Sequence, residues 1–322
     1  MNIKLINQIL LLIFIVLIFI CYNRTEFFST NPPFKIDVLY TWVGEHENNN
    51  NDIRLANNNE LQYSIRSVME NLPWINRIFI LMNPPVHIPS WFNTSYKKYV
   101  TLLDQTDTFP KNSKLPNKNS DAIETTMANI LNLSEHFIYM NDDLFIGKKC
   151  NYTDFFSRDG KVNLDIYLKA RRPMLLKNKL DILKYKYPIH GKWNKHIPIP
   201  YLKSELKNYI NEYSDYVNWI RSYNSRPNNC IMCTQFNLLC PCQQQHYPFS
   251  IYLHKKKKVN LIKLNSSDIH LIKNRYKHNF KLLLKKNKAY KFICINNGTI
   301  KDKDDIIYYL NKLFPTKPFF EK

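Results

Sequence analysis

Ile36-Asp37-Val38-Leu39-Tyr40-Thr41-Trp42-Val43 is an eight-residue run with a single charge, and the fold turns on how it is read. Strand length, β-branched and aromatic residues and near-continuous apolarity mark a central strand buried on both faces. Downstream, Asn59 to Leu72 places Leu61, Ile65, Val68, Met69 and Leu72 at helical spacing, with Asn58 or Asn59 as N-cap and Pro73 as the stop. Arg77 to Met82 and Tyr99 to Leu103 are further strands, Ser120 or Asp121 opens a helix running to about Leu131, and His136 to Met140 is another strand. This alternation predicts an α/β fold, a mostly parallel sheet with helices on both faces.

Composition sets the limits around that core. The chain has 322 residues, 44% hydrophobic and 14% aromatic, enough apolar material to exclude wholesale disorder. With 5 Gly and 17 Pro at no fixed period, collagen-like, β-helical and repeat architectures are excluded too. A net charge of +20 leaves nucleic acid, anionic lipid and phosphorylated substrates open as partners.

The amino-terminal stretch Ile9 to Tyr22 is uncharged, and counted back to Leu5 it reaches roughly 18 residues, near the ~20 that span a bilayer. Phe19-Ile20-Cys21-Tyr22 is a poor cleavage site, so residues 1–24 are expected to be an uncleaved signal anchor and transmembrane helix. Residues 25–34, with Asn31-Pro32-Pro33, then form a stalk, and 35–322 a lumenal or extracytoplasmic body of a single-pass type II membrane protein. Within the body, 35–160 carries the strand and helix alternation and 161–322 a basic carboxyl-terminal region. Sequons at Asn93, Asn132, Asn151, Asn265 and Asn297 permit a glycoprotein.

Asn141-Asp142-Asp143 follows the last of these strands, where the chain gives way to a loop. Ligands of open α/β sheets bind beyond the carboxyl ends of the strands. Two adjacent carboxylates there attract a hard divalent cation, Mg²⁺ or Mn²⁺, which bridges to diphosphate oxygens. An acidic turn after a strand is also a common solvated feature, so neighbouring motifs must decide.

The Ile36–Val43 run, then Asn59-Glu60-Leu61-Gln62-Tyr63-Ser64-Ile65-Arg66-Ser67-Val68, Pro73-Trp74-Ile75 and Ile88-Pro89-Ser90-Trp91 resemble the first two conserved regions of the Stealth family in order and spacing. Leu115-Pro116, Asn119-Ser120 with Ala122-Ile123-Glu124, Phe137 to Asp143 with Phe145 and Gly147, and Asp154-Phe155-Phe156 continue the second region. A third resembles His196-Ile197-Pro198 with Arg226 and Thr234-Gln235-Phe236, and a fourth Phe292 to Asn296 with Leu310 and the Phe314 to Glu321 tail. The chain departs from the pattern at Gly44-Glu45-His46-Glu47, where the family has an Asp- or Asn-Gly pair, and at Asn296-Asn297, where it has Asn-Asp.

Stealth proteins are hexose-1-phosphate transferases. The resemblance implies a Rossmann-like fold in which 35–160 binds a nucleotide-sugar donor such as UDP-GlcNAc and the metal, and 161–322 forms the acceptor side. The sugar-1-phosphate moves to a hydroxyl of a glycan or glycoprotein acceptor, and UMP is released. It implies that Asp142 and Asp143 hold the cation with Asn296 as a neutral ligand, and that His196 takes the acceptor proton. Arg226 and Arg66 would hold phosphate oxygens, Arg66 having a carboxylate partner as its alternative. Trp42 would stack on the base or belong to the core, and Asn119, Ser120 and Glu124 would line the substrate. Asp37 would be a further ligand, an orienting group or a structural carboxylate. A metal-dependent glycosyltransferase releasing UDP, and an inactive glycan-binding relative, are the other readings.

The basic segment from Lys255 to Lys286 interleaves cations with apolar residues, as nucleic-acid binders do, but a lumenal body makes nucleic acid an unexpected partner. Oligomeric state is not legible. Cys150, Cys230, Cys233, Cys240, Cys242 and Cys294 are an even set compatible with disulfides, and the C-x2-C-x6-C-x-C cluster with His246 has zinc as its rival. Disulfides rank first because the spacing matches no common zinc finger. Non-reducing peptide mass spectrometry is expected to find Cys230, Cys233, Cys240 and Cys242 linked to one another; one tightly held zinc per chain would reverse this.

Overall fold

The structure is a computed structural model that describes residues 31–45, 57–165, 197–224, 256–262, 269–272, 276–285, 290–295 and 303–322, with Leu11, Ile13, Phe14, Phe249, Tyr252 and Leu253. The run that opened the sequence reading becomes β1 (Ile36–Trp42), six of whose seven residues are buried. It is followed by helix α1 (Glu60–Asn71), β2 (Ile78–Met82) and β3 (Val100–Asp104). The short helix α2 (Ser120–Glu124), β4 (His136–Asn141), β5 (Leu144–Ile146) and β6 (Val162–Asp165) come next. The later described elements are β7 (Ile199–Leu202), α3 (Lys203–Glu212), α4 (Ser214–Arg221), β8 (Val259–Ile262), β9 (Ile269–Ile272), α5 (Tyr276–Lys285), β10 (Phe292–Ile295) and α6 (Lys303–Leu313).

The central sheet has the order β3-β2-β1-β4-β7. Its first four strands are parallel and only β7 runs against β4, so the sheet is mostly parallel as expected. Parallel strands with both faces covered leave no room for solvated side chains, which is why β1, β2 and β4 read as nearly unbroken apolar runs. A second sheet, β5-β10-β9, hangs directly off the end of β4, and β6 pairs with β8.

α1 couples the two sheets. Its apolar stripe, Leu61, Ile65, Val68 and Leu72, is sealed in the core. Beside it lies a second buried stripe, Glu60, Ser64, Ser67 and Asn71, also at helical spacing but polar. That stripe serves the backbone of β5: Ser64 donates to the Leu144 carbonyl, Ser67 Oγ accepts from the Ile146 N–H at 2.9 Å, and Asn71 donates to the Ile146 carbonyl at 2.8 Å. These side chains do for a buried strand edge what a neighbouring strand would otherwise do.

Several expectations are corrected here. The helix expected to run to about Leu131 stops at Glu124, because Thr125 and Thr126 turn their hydroxyls back onto the carbonyls of Ala122 and Ile123 at 2.6 and 2.7 Å and compete with the helical ladder. Its cap is Asn119, whose side chain accepts from the Asp121 N–H, not Ser120 or Asp121. Asn59 occupies the N-cap position of α1 with φ 64° and no capping bond from its side chain. Cys150 and Cys294, two of the six cysteines expected to suit disulfides, are instead thiols that donate to the Lys148 carbonyl at 3.3 Å and to Asp143 Oδ2 at 3.4 Å. Among the described residues no helix is long and apolar enough to cross a membrane. The anchor expected over residues 1–24 lies outside the described residues except for Leu11, Ile13 and Phe14, and the cysteine cluster lies wholly outside them.

The outer face of α1 is tied to the end of the described chain. Arg66 is bidentate to the Glu321 carboxylate, through Nε at 2.8 Å and through Nη2, and its Nη1 reaches the Phe314 carbonyl at 3.1 Å. Both side chains are almost fully buried, 4% and 1% exposed. Removing one partner strands the other charge, so Arg66→Ala or Glu321→Ala is expected to lower stability by about 3–5 kcal/mol in urea denaturation, whereas Arg66→Met with Glu321→Leu regains most of the loss.

Candidate active site

From β1 the chain steps to β2 and β3 on one side of the sheet, then returns to place β4 on the other. The connections leaving the carboxyl ends of β1 and β4 therefore diverge, and a crevice opens at this topological switch point. Register puts Thr41 opposite Asn141 at its lip. The Tyr139 hydroxyl donates to Asn141 Oδ1 at 2.9 Å and the Thr41 hydroxyl donates to the same oxygen at 3.2 Å. Asp142 and Asp143 form the turn into β5, and the Ile295 N–H bonds the Asp143 carbonyl at 3.0 Å, so the end of β10 is fixed beside them.

The two carboxylates are half-buried and nothing described balances their charge. Burial, the neighbouring Asp143 and then Glu60 hold Asp142 well above the usual carboxylate range. Asp143 is pushed up to about 6 by burial, opposed by a Cys294 Sγ–H bond to its Oδ2 (3.4 Å), with Glu60 raising it further. Its other oxygen, Oδ1, is sealed from solvent without a hydrogen-bond partner. An orphaned buried carboxylate oxygen is costly and demands a cationic or donor group.

Such a donor set fits a hard divalent cation. Among the described residues no three His, Cys, Asp or Glu side chains converge on one point as a closed metal site. Mg²⁺, however, is commonly held by only one or two carboxylates, its other positions filled by water and substrate phosphates. Asp142 and Asp143 suit that open arrangement.

Glu60 was not singled out as a site residue by sequence, yet its charge reaches both aspartates. It sits at the first turn of α1, 8% exposed, where its carboxylate accepts the Asn58 N–H at 2.7 Å and the Asn58 amide at 2.6 Å. The signal for it is the polar stripe of α1, a 3.6-residue period that a search for apolar periodicity passes over.

The other candidates separate into three groups. Asn119 and Glu124 lie buried on α2, where Asn119 caps the helix and also donates to the Ile220 carbonyl at 3.4 Å. Glu124 acts electrostatically on Tyr201, whose ring stacks 5.3 Å from that of Phe137 and lies 6.2 Å from that of Tyr139 in β4; Ser120 begins α2, half-buried.

Asp37, Arg66 and Trp42 do not join them; each takes the scaffold alternative open to it rather than a place at the crevice. Asp37 stands at the amino end of β1, about 13 Å along the strand from the lip of the crevice. There its oxygens accept from Asn76 and from the Ser134 N–H, both at 2.7 Å, beside the Arg77 guanidinium at 3.5 Å, which makes it a structural carboxylate. Arg66 is consumed by Glu321. Trp42 is 5% exposed and packs in the core, its ring 5.3 Å from that of His87.

His196, Arg226 and Asn296 lie outside the described residues.

The departure at Gly44-Glu45 has a local cause. Gly44 holds φ +111°, and a Cβ there would come within 2.3 Å of the His87 ring. The Glu45 N–H donates to His87 Nε2 at 3.1 Å, and its carboxylate takes the Ser90 hydroxyl at 2.9 Å, so the chain leaving β1 is latched to the loop after β2.

Comparison with known proteins locates this geometry in a family region. Residues 54–164 match the model of Stealth protein CR2, conserved region 2. The capsular polysaccharide phosphotransferase LcbA of Neisseria meningitidis is 37% identical over 167 residues, 46% of this chain and 45% of the relative. The capsular polysaccharide phosphotransferase fcs1 of Haemophilus influenzae is 33% identical over 174 residues, covering 48% of this chain and 47% of its own. The exopolysaccharide phosphotransferase cps2G of Lactiplantibacillus plantarum is 27% identical over 352 residues, 91% of this chain and 98% of the relative. The chain thus spans less than half of the Neisseria and Haemophilus relatives and nearly all of the Lactiplantibacillus one.

The raised pKa of Asp143 gives a signed expectation for the metal-free chain. In the unfolded chain this carboxyl titrates near the ordinary value of about 4, in the folded one at about 6, so between these the native state binds more protons. This group's contribution therefore stabilises the fold as pH falls from 7 toward 4. Thermal melting should show Asp143→Asn gaining stability over the unaltered chain at pH 7 and losing that advantage by pH 4, while saturating Mg²⁺ narrows the gap at pH 7 by stabilising only the unaltered chain.

Proposed function

From the match of residues 54–164 to the second conserved region of the Stealth family, we propose that the chain is a sugar-phosphotransferase of that kind, which transfers a sugar-1-phosphate from a UDP-sugar to a hydroxyl of a glycan acceptor, releasing UMP. The observation that carries this reading is the unbalanced Asp142-Asp143 pair at the switch point, with Asp143 Oδ1 sealed and unmet. Relatives named as capsular and exopolysaccharide phosphotransferases supply the reaction class.

In this mechanism the nucleotide lies across the crevice between β1 and β4, with its diphosphate over Asp142 and Asp143. A divalent cation held by these aspartates would neutralise charge developing on the departing phosphate. The acceptor oxygen forms a bond to the phosphorus that bears the sugar, and the bond from that phosphorus to the bridging oxygen breaks, so UMP leaves with the bridging oxygen. His196 takes the acceptor proton and Arg226 holds non-bridging oxygens of the transferred phosphoryl group. Glu60 keeps the carboxylates crowded with negative charge, so that a cationic partner is favoured there over a lone proton.

The leaving group tests the reading. Full-length chain incubated with UDP-GlcNAc, Mg²⁺ or Mn²⁺ and an acceptor glycan is expected to release UMP and to give a phosphodiester signal in ³¹P NMR of the product. Asp143→Asn is expected to lower that turnover by at least about 10²-fold. Acceptor-dependent release of UDP with no phosphorus in the product would instead assign glycosyl transfer.

A further inference from the structure

Asn141 is the exposed member of a closed triangle at the lip of the crevice. The Tyr139 and Thr41 hydroxyls lie 3.0 Å apart, and both donate to Asn141 Oδ1, at 2.9 and 3.2 Å. Tyr139 is 2% exposed and fixed in β4 two residues before Asn141, and Thr41 is the cross-strand partner of Asn141 in β1, so two rigid strands set the orientation of one amide. A carboxamide has one acceptor end and one donor end. With Oδ1 occupied by two hydroxyls, Nδ2 is turned outward with two N–H groups to offer, next in sequence to the carboxylate pair. Carboxylates that hold a cation can grip only those ligand oxygens that face the cation. A neutral donor beside them suits an oxygen that does not.

We infer that Asn141 is a donor-binding residue, its Nδ2 donating to a non-bridging diphosphate oxygen of the nucleotide sugar, with Tyr139 and Thr41 as the positioning residues that aim it. The inference rests on the nucleotide-sugar reading of this crevice and adds to it a contact that neither the family match nor the sequence assigned. It also gives a function to the strand-end hydroxyls: each could hydrogen-bond water equally well, but only together do they choose which end of the amide faces the ligand.

Calorimetric titration of the full chain with UDP, and separately with inorganic pyrophosphate, each with Mg²⁺, tests this directly. Asn141→Ala is expected to weaken both by about 10- to 100-fold, the range for one hydrogen bond to a charged group. Asn141→Asp keeps the shape and still accepts from both hydroxyls, but turns an anionic oxygen toward the diphosphate, so it should bind more weakly than Asn141→Ala. Tyr139→Phe should weaken binding in the unaltered background and have little further effect in Asn141→Ala, the coupling expected of a residue that acts through the amide. Melting temperatures check that each variant folds. If Asn141→Asp binds as tightly as the unaltered chain or more tightly, the outward atom is an oxygen serving the cation and the inference is wrong. It is equally overturned if Asn141→Ala binds normally. Failure of the unaltered chain to bind either probe overturns the reading of the crevice itself, and with it this inference.

Discussion

Everything described depends on one pairing constraint: β1 is hydrogen-bonded in parallel on both sides, to β2 and to β4, and cannot be reached in sequence order from one side only. Parallel neighbours require crossover connections, and a strand paired on both sides by chain segments that come from opposite directions leaves a gap where those connections part. The gap is a property of topology before any side chain is placed in it. Asn141, Asp142 and Asp143 have their chemistry because β4 ends there.

α1 turns that opening into a defined site. A helix that offered only an apolar stripe would cover the sheet but leave β5, the strand that continues from the acidic turn, with unmet backbone groups. Ser64, Ser67 and Asn71 meet them, and Tyr40, beneath, joins through its hydroxyl to Ser64 at 2.9 Å. The position of Asp143 is thus held from below by β1, from behind by α1 and from the side by the Ile295 N–H. A carboxylate that must stay exposed to a ligand yet not drift needs this kind of backbone fixation, since its own side chain has few bonds to spare.

Much of this was legible in the sequence and some was not, for physical reasons. Buried parallel strands must be apolar on both faces, so β1, β2 and β4 announced themselves, and the acidic pair at the end of β4 stood out against them. The direction of β1 also carried a message: Asp37 is the second residue of its strand, and residues at the amino end of a parallel strand lie opposite the ligand face. Read strictly, that placed Asp37 with the scaffold. Glu60, Ser64, Ser67 and Asn71 were obscured because a polar stripe on a helix ordinarily means solvent. The early end of α2 depends on two threonine hydroxyls choosing carbonyls over water, a contest that helix periodicity does not register. A carboxylate partner for Arg66 was one of its two readings, but no local pattern could single out Glu321, because it lies far along the chain.

That separation has a consequence for how the protein comes into being. Arg66 and Glu321 are 255 residues apart, and at about 5–20 residues added per second the ribosome needs roughly 10–50 s to bring the second after the first. For that interval α1 carries a guanidinium destined for a dry environment but lacking its counter-charge, and closing the core over it would bury a bare cation. Until Glu321 emerges the closed arrangement of α1 carries the cost of an unpaired buried cation, so it becomes favourable only once the segment from Phe314 to Glu321 has been made and has joined it.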